Sequence, residues 1–245
     1  MSPEVSRRYL IESLVGVGCA LGAPVSVEDK QKLPVVPKRL ERAFKAPGKR
    51  PNGLQAVPDG LWILDQDDPN KVSKVRYEDG SVLVTLETES LHGSGITFGN
   101  GALWIASTHD SGTLKVDPAT GKTLAAFRSP AAAKSGDHGL EWVDGKYWIA
   151  SPPSMTIYLV DPKTGKVVRS IPAPGKRPHG LAWVDGFLWC VESNDRAIYK
   201  MDPKDGTLLA RIQLTREDPE PHGMTAWKGV FWYSDATSGW ICRLV

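Results

Sequence analysis

Apolar and polar positions alternate in short runs along most of this chain. Gly180-Leu181-Ala182-Trp183-Val184 and Leu188-Trp189-Cys190-Val191 are two such runs, separated by Asp185-Gly186. Period-two runs of this length, bounded by turn residues, predict antiparallel strands. Asp59-Gly60, Asn100-Gly101, Asp144-Gly145, Asp185-Gly186 and Lys228-Gly229 follow the first run of each unit. Tight hairpins favour such dipeptides because both central residues take positive φ. A third run ends at an acid-proline corner (Asp117-Pro118, Asp161-Pro162, Asp202-Pro203), and a fourth follows a Thr-Gly or Asp-Gly pair. Each unit is therefore four short strands.

The units repeat. A Gly is followed nine residues later by a Trp at Gly53/Trp62, Gly95/Trp104, Gly139/Trp148, Gly180/Trp189 and Gly223/Trp232. The residues before those glycines are Asn52, Ser94, His138, His179 and His222, 41–44 residues apart. That period with four strands per unit is the signature of a β-propeller. The last unit ends at Val245 without its outer strand, but residues 42–53 (RAFKAPGKRPNG) nearly copy residues 169–180 (RSIPAPGKRPHG). The expectation is an all-β, five-bladed propeller whose N-terminal strand completes the last blade, leaving no exposed edge there. Residues 32–245 form it and residues 1–31 are an extension. The five anchor tryptophans are expected in the core, with Trp142, Trp183 and Trp227 wedged between blades. Cys190 and Cys242 read as buried free thiols.

A closed ring brings equivalent residues face to face. His138, His179 and His222 then converge at one rim of the axial tunnel, with Asn52 and Ser94 completing the circle and His92 two residues ahead of Ser94. Three imidazoles around one point predict a divalent metal site, His138, His179 and His222 being the ligands and His92 a fourth. A metal-free reading makes His222 or His179 a general base. A third leaves the imidazoles structural. A second layer lies three residues after each anchor Trp and includes Asp65, Glu192 and Asp235. Glu192 and Asp235 are candidate acid–base partners of the histidines. Asn52, His92, Ser94, Glu141 and Asp65 are candidate substrate contacts. His109 ends its strand without repeat partners.

Charge adds little. Lys+Arg 30 against Asp+Glu 28 gives a net +2, which does not argue for nucleic acid. Lys49-Arg50 and Lys176-Arg177 sit just before the rim positions. They read either as a locally basic face for a small anionic ligand or as solvated turn residues. No segment is long and apolar enough to span a membrane. Ser6-Arg7-Arg8 followed by a short apolar stretch reads as a twin-arginine-like export signal; the alternative is a retained amphipathic helix presenting Val5, Tyr9 and Leu14, with the protein cytoplasmic. Phosphate loops, nucleophile elbows and cysteine metal motifs are absent from the sequence.

Pro178-His179-Gly180-Leu181…Leu188-Trp189 and Glu220-Pro221-His222-Gly223-Met224…Phe231-Trp232 resemble the repeats of the streptogramin (virginiamycin B) lyase-like propellers. That resemblance implies an elimination with His222 as base and a divalent metal stabilising the enolate. It also expects a nearby Glu, near whose place this chain has Ala236. Gly139-Leu140-Glu141-Trp142-Val143-Asp144-Gly145 and Lys204-Asp205-Gly206-Thr207-Leu208-Leu209 resemble the five-bladed plant-type glutaminyl cyclases. This second resemblance implies acyl transfer; that family is rich in tunnel Glu where this chain has His. The sequence expectation is a metal-assisted lyase on the axis. The alternatives are a glutaminyl cyclase-like acyl transferase and a non-catalytic propeller that binds a ligand or protein.

Overall fold

The structure is a computed structural model that describes residues 26–67, 69–109, 112–131 and 136–245. The Arg-Arg segment, Cys19, and the helix proposed around Val5, Tyr9 and Leu14 lie outside the described residues. A short helix α1 (Val27–Lys32) precedes strand β1 (Leu40–Lys45). Four blades follow in chain order. Blade I is β2 (Pro51–Val57), β3 (Gly60–Asp65), β4 (Lys71–Val75) and β5 (Val82–Glu87). Blade II is β6 (Gly93–Gly99), β7 (Ala102–Ser107), β8 (Gly112–Val116) and β9 (Thr123–Arg128). Blade III is β10 (Leu140–Val143), β11 (Lys146–Ser151), β12 (Thr156–Val160) and β13 (Val167–Pro172). Blade IV is β14 (Pro178–Val184), β15 (Phe187–Glu192), β16 (Ala197–Met201) and β17 (Leu208–Gln213). Blade V holds β18 (Met224–Trp227), β19 (Val230–Ser234) and β20 (Trp240–Leu244), and β1 is its outer strand, in the order β1-β20-β19-β18. The protein is a five-bladed β-propeller closed by its N-terminal strand.

Closure rests on β1. Leu40 pairs with Leu244 and Phe44 with Ile241. The Phe44 ring sits 6.2 Å from that of Trp232 and fills the space that a side chain at Gly80 would need. Hairpins with both central residues at positive φ occur at Asn100-Gly101, Asp144-Gly145, Asp185-Gly186 and Lys228-Gly229. The first blade differs from the sequence expectation. Val57 pairs with Gly60, so its turn is Pro58-Asp59, and the proline ring holds φ negative at the first central position.

The core lies between blades. The five anchor tryptophans are buried, and Trp142, Trp183 and Trp227 pack beside them from the inner strands. A Cβ added at Gly99 would overlap the Trp142 indole, which shows how tightly that wedge fits. Cys190 and Cys242 are buried free thiols.

Around the axis the inner strands touch through glycine. A Cβ at Gly95 would lie 1.9 Å from the carbonyl oxygen of His138, and one at Gly139 would lie 2.0 Å from that of His179. At Gly180 the distance to His222 O is 2.6 Å, and at Gly223 the distance to Asn52 O is 2.0 Å. Each of these four glycines rests on the rim residue of the next blade, and at the fifth crossing a Cβ on Gly53 would meet Ile96 N at 3.0 Å.

One layer deeper, side chains two residues past those glycines hydrogen-bond across blades. Thr225 Oγ1 accepts from Ala56 N (3.1 Å), Gln55 Oε1 from Phe98 N (3.3 Å), Thr97 Oγ1 from Trp142 N (2.9 Å) and Glu141 Oε1 from Trp183 N (3.2 Å). Ala182 interrupts this belt between blades IV and V. Glu141, read as a substrate contact, is thus a belt member. Its second oxygen is buried without a partner, and burial pushes its pKa up to about 8.

Two outcomes follow. Gly139→Ala should destabilise the fold by at least about 2 kcal/mol, read as a shift of the denaturant midpoint, because backbone must move to admit the methyl. Glu141 binds its proton more tightly folded than unfolded. Its contribution is therefore complete below the unfolded pKa of about 4.5 and is lost as pH rises toward about 8. Glu141→Gln keeps the acceptor for Trp183 N. It should remove this alkaline loss and leave the variant more stable than the parent at pH 8, by on the order of a few kcal/mol; parallel pH–stability curves would reveal otherwise.

Candidate active site

The rim side chains are presented by β-bulges. In blade I, Pro51 pairs with Asp65 and Gly53 with Leu64, so Asn52 is the extra residue; Ser94 is the extra residue in blade II, and in blade IV the register shifts across His179. Blades III and V use the same device. Ala150 exchanges hydrogen bonds with His138 N and Gly139 O, and Ser234 with His222 N and Gly223 O. A bulge frees one side chain from the alternation of the ladder and re-aims it. Here that side chain is turned toward the axis.

The three imidazoles meet as a row. The His138 and His179 ring centroids are 4.4 Å apart at 61°, and those of His179 and His222 are 5.1 Å apart at 80°, both edge to face. His179 Nδ1 lies 2.9 Å from Arg177 O, and His222 Nδ1 lies 3.3 Å from Glu220 O. A carbonyl oxygen only accepts, so Nδ1 carries the proton in both rings and Nε2 is left as an acceptor. Ser193 Oγ donates to Pro221 O (2.8 Å) and therefore accepts from His179 Nδ1 (3.1 Å). His138 Nδ1 is buried without a partner. Burial holds all three imidazoles neutral. The His138 pKa lies well below its ordinary value, that of His179 is about 3, and that of His222 is lowered against the opposing pull of Glu220.

Among the described residues no group of three or more His, Cys, Asp or Glu is arranged to hold a metal ion. Nδ1 of His179 and of His222 faces a carbonyl, which leaves Nε2 as the atom of each ring that could meet a ligand.

The remaining expected residues divide between rim and loop. Asn52 and Ser94 are buried in the rim, and Ser94 Oγ contacts Thr108 Oγ1 at 2.7 Å. His92, in a left-handed conformation, stacks on His109 with centroids 4.2 Å apart rather than extending the row of three. Asp65, Glu192 and Asp235, expected as acid–base or substrate groups, turn their oxygens to backbone amides. Asp65 Oδ1 accepts from Arg50 N (3.2 Å), both Glu192 oxygens accept from Arg177 N (3.1 and 2.9 Å), and Asp235 Oδ2 accepts from Glu220 N (3.2 Å). In each case the amide belongs to the residue two places before the rim position, so these carboxylates anchor the loops that carry the rim.

Glu220 was missed. Its carboxylate is partly exposed at the mouth, with Oε1 3.7 Å from His222 Nε2 and from Arg177 Nη1, and Oε2 3.7 Å from Arg196 Nη1. The tetrapeptide Glu-Pro-His-Gly held the signal: a Glu two residues before a rim His has a side chain that can return to it. Arg177 raises the positive potential at all three imidazoles and opposes their protonation. A cleft of about 380 Å³, lined by Arg42, Glu217, Asp218 and Trp240 among others, adjoins the mouth through Asp235. No helix among the described residues is long and apolar enough to cross a membrane.

Solved structures share this fold. The chain resembles the glutaminyl cyclase of Myxococcus xanthus with a TM-score of 0.70 and 11% identity, over 85% of this chain and 95% of that one. It also resembles the virginiamycin B lyase of Staphylococcus aureus in its structure with quinupristin, with a TM-score of 0.55 and 20% identity, over 81% and 67% of the two chains. No curated protein matches the sequence. The profile of the glutamine cyclotransferase family matches residues 53–230, from the inner strand of blade I into blade V. The chain belongs to the glutamine cyclotransferase family.

Proposed function

We propose that this protein cyclises a glutaminyl residue bearing a free α-amine, at the tunnel mouth beside His222. Family membership supports this acyl-transfer reading over the elimination suggested by the Glu-Pro-His motif. The observation that carries it is the pair His222 and Glu220: an imidazole locked as the Nδ1–H tautomer, with its free Nε2 3.7 Å from a carboxylate at the mouth.

In the reaction the α-nitrogen attacks the γ-carboxamide carbon. The new carbon–nitrogen bond closes a five-membered lactam, the old one breaks, and ammonia leaves. One proton must travel from the attacking nitrogen to the departing one. His222 Nε2 takes it and returns it, as general base and then general acid. The Glu220 carboxylate attracts the α-ammonium and holds the amine beside Nε2. Arg177, 3.7 Å from Glu220, opposes the negative charge that develops on the carbonyl oxygen in the tetrahedral intermediate. His179, with a pKa of about 3, is too weak a base to move this proton and instead accepts a hydrogen bond from the carboxamide NH₂ through Nε2.

His222→Asn should lower kcat/KM for a glutaminyl peptide about 100- to 1,000-fold with the fold intact, measured by ammonia release. Because burial lowers the His222 pKa, the enzyme's own acid limb should fall below about pH 6.5. A parent protein that releases no ammonia from glutaminyl peptides would sink the reading.

A further inference from the structure

The N-terminal segment does more than close the ring. Before reaching β1 it runs along blade IV, where Val35 forms a parallel bridge with Arg211, held by Val36 N to Arg211 O (2.8 Å) and Arg211 N to Pro34 O (2.9 Å). Leu33 packs on the core cluster between blades III and IV, and Val36 on that between blades IV and V. This placement sends Lys30 of α1 inward. The residue is 7% exposed, its Nζ lies 2.6 Å from Asp195 Oδ2, and it sits over the Tyr199 ring at 5.3 Å. Tyr199 OH donates to the same Asp195 oxygen at 2.9 Å.

Asp195 belongs to the turn 193–196, closed by Arg196 N donating to Ser193 O (3.1 Å). Arg196 is a non-glycine residue at φ 48°, a left-handed conformation that costs roughly 1–2 kcal/mol and persists only where its surroundings enforce it. Gln213 grips the carbonyls of Asp195 and Arg196 at 3.0 and 3.2 Å, and Lys30 grips the Asp195 side chain. The same turn carries two groups that face the mouth. Ser193 Oγ bridges His179 Nδ1 to Pro221 O, and Arg196 Nη1 faces Glu220.

We infer that Lys30 is a positioning residue: its ion pair with Asp195 fixes the turn 193–196, whose Ser193 holds both acceptors of the His179 Nδ1–H, its own Oγ and, through Ser193 N (3.2 Å), Arg177 O. The consequence for catalysis rests on the cyclisation reading; the effect on the imidazole does not. The Lys30 ammonium is buried and the Asp195 carboxylate partly exposed, so removing the ammonium lets the carboxylate swing to water and pull the turn outward. Ser193 then loses its hold on both acceptors, and the His179 proton redistributes between the two nitrogens.

The test uses the full chain labelled with ¹⁵N and long-range ¹H–¹⁵N correlation of the imidazoles at neutral pH. In the parent, His179 should give the pattern of a single Nδ1–H tautomer. In Lys30→Met it should give averaged tautomers, and Lys30→Arg, whose guanidinium reaches the same carboxylate, should restore the parent pattern. Ser193→Ala removes one acceptor and leaves Arg177 O in place, so it should keep the single Nδ1–H pattern. If Lys30→Met does not fold, Asp195→Asn removes the charge at constant shape and should show the same averaging. With a glutaminyl peptide, kcat should fall about 10-fold or more in Lys30→Met while KM stays near the parent value, as for a displaced catalytic group. An unchanged His179 pattern in both Lys30→Met and Asp195→Asn overturns the inference, even if the melting temperature drops. Tautomer averaging in the variants of a protein with no cyclising activity would uphold the role of Lys30 and remove the proposed reaction.

Discussion

The contact on which this molecule depends is that of a glycine Cα with the carbonyl of the neighbouring blade, repeated around the axis. Where Gly95, Gly139, Gly180 and Gly223 stand, a methyl group would overlap the rim residue of the next blade. At these four crossings the inner strands can come this close only because the side chain is missing on one partner; at the fifth, a Cβ on Gly53 would meet Ile96 at 3.0 Å. The bulge that puts Gly next to the rim residue also ejects that residue's side chain from the ladder. Close approach and convergence of side chains are thus one structural event. The same Gly that permits the ring obliges its predecessor to face the tunnel, and a propeller with few blades must gather whatever residues evolution places there.

The architecture was legible because the constraint is repeated. Glycine, hairpin dipeptide and Trp recur in register, and the copied segment 42–53 discloses circular closure before any coordinates. The exception is instructive. Asp59-Gly60 stands one residue later in its unit than the other dipeptides, and the turn keeps the repeat position, at Pro58-Asp59. Rim membership of Asn52, Ser94, His138, His179 and His222 was legible for the same reason. Their chemistry was not. Whether three converging imidazoles make a metal triad or a packed row depends on ring orientation, which is set by the carbonyls of Arg177 and Glu220 and by the Ser193 hydroxyl. The Ser193 contact has no sequence period, and the carbonyl two residues before the rim recurs in blades IV and V as a backbone atom that no residue type marks.

Carboxylates taught a related lesson. Asp65, Glu192 and Asp235 recur three residues after the anchor Trp, and recurrence drew attention to them as a set. The structure ties all three to backbone amides two residues before the rim, a role that any repeat with this loop would share. Glu220, by contrast, has no counterpart in the other blades, where Arg50, His92, Gly136 and Arg177 stand two residues before the rim. Repetition marks what the fold needs. The singular residue beside a repeated one is where a site departs from its scaffold.

The row of imidazoles also limits how many protons the mouth can hold. Positive charge on His179 or His222 lowers the pKa of His138, and positive charge on His222 lowers that of His179. The sites are coupled, so they titrate as one system and not as independent bases. The first proton goes where burial is least severe and a carboxylate is closest. That place is His222, 3.7 Å from Glu220. Once it is charged, its neighbours are driven further toward neutrality, and Arg177 adds to the same pressure. A second proton on the row is opposed by the first. The arrangement therefore offers a single protonatable nitrogen flanked by neutral acceptors. A reaction that moves one proton from an amine to a departing amide nitrogen needs no more than that.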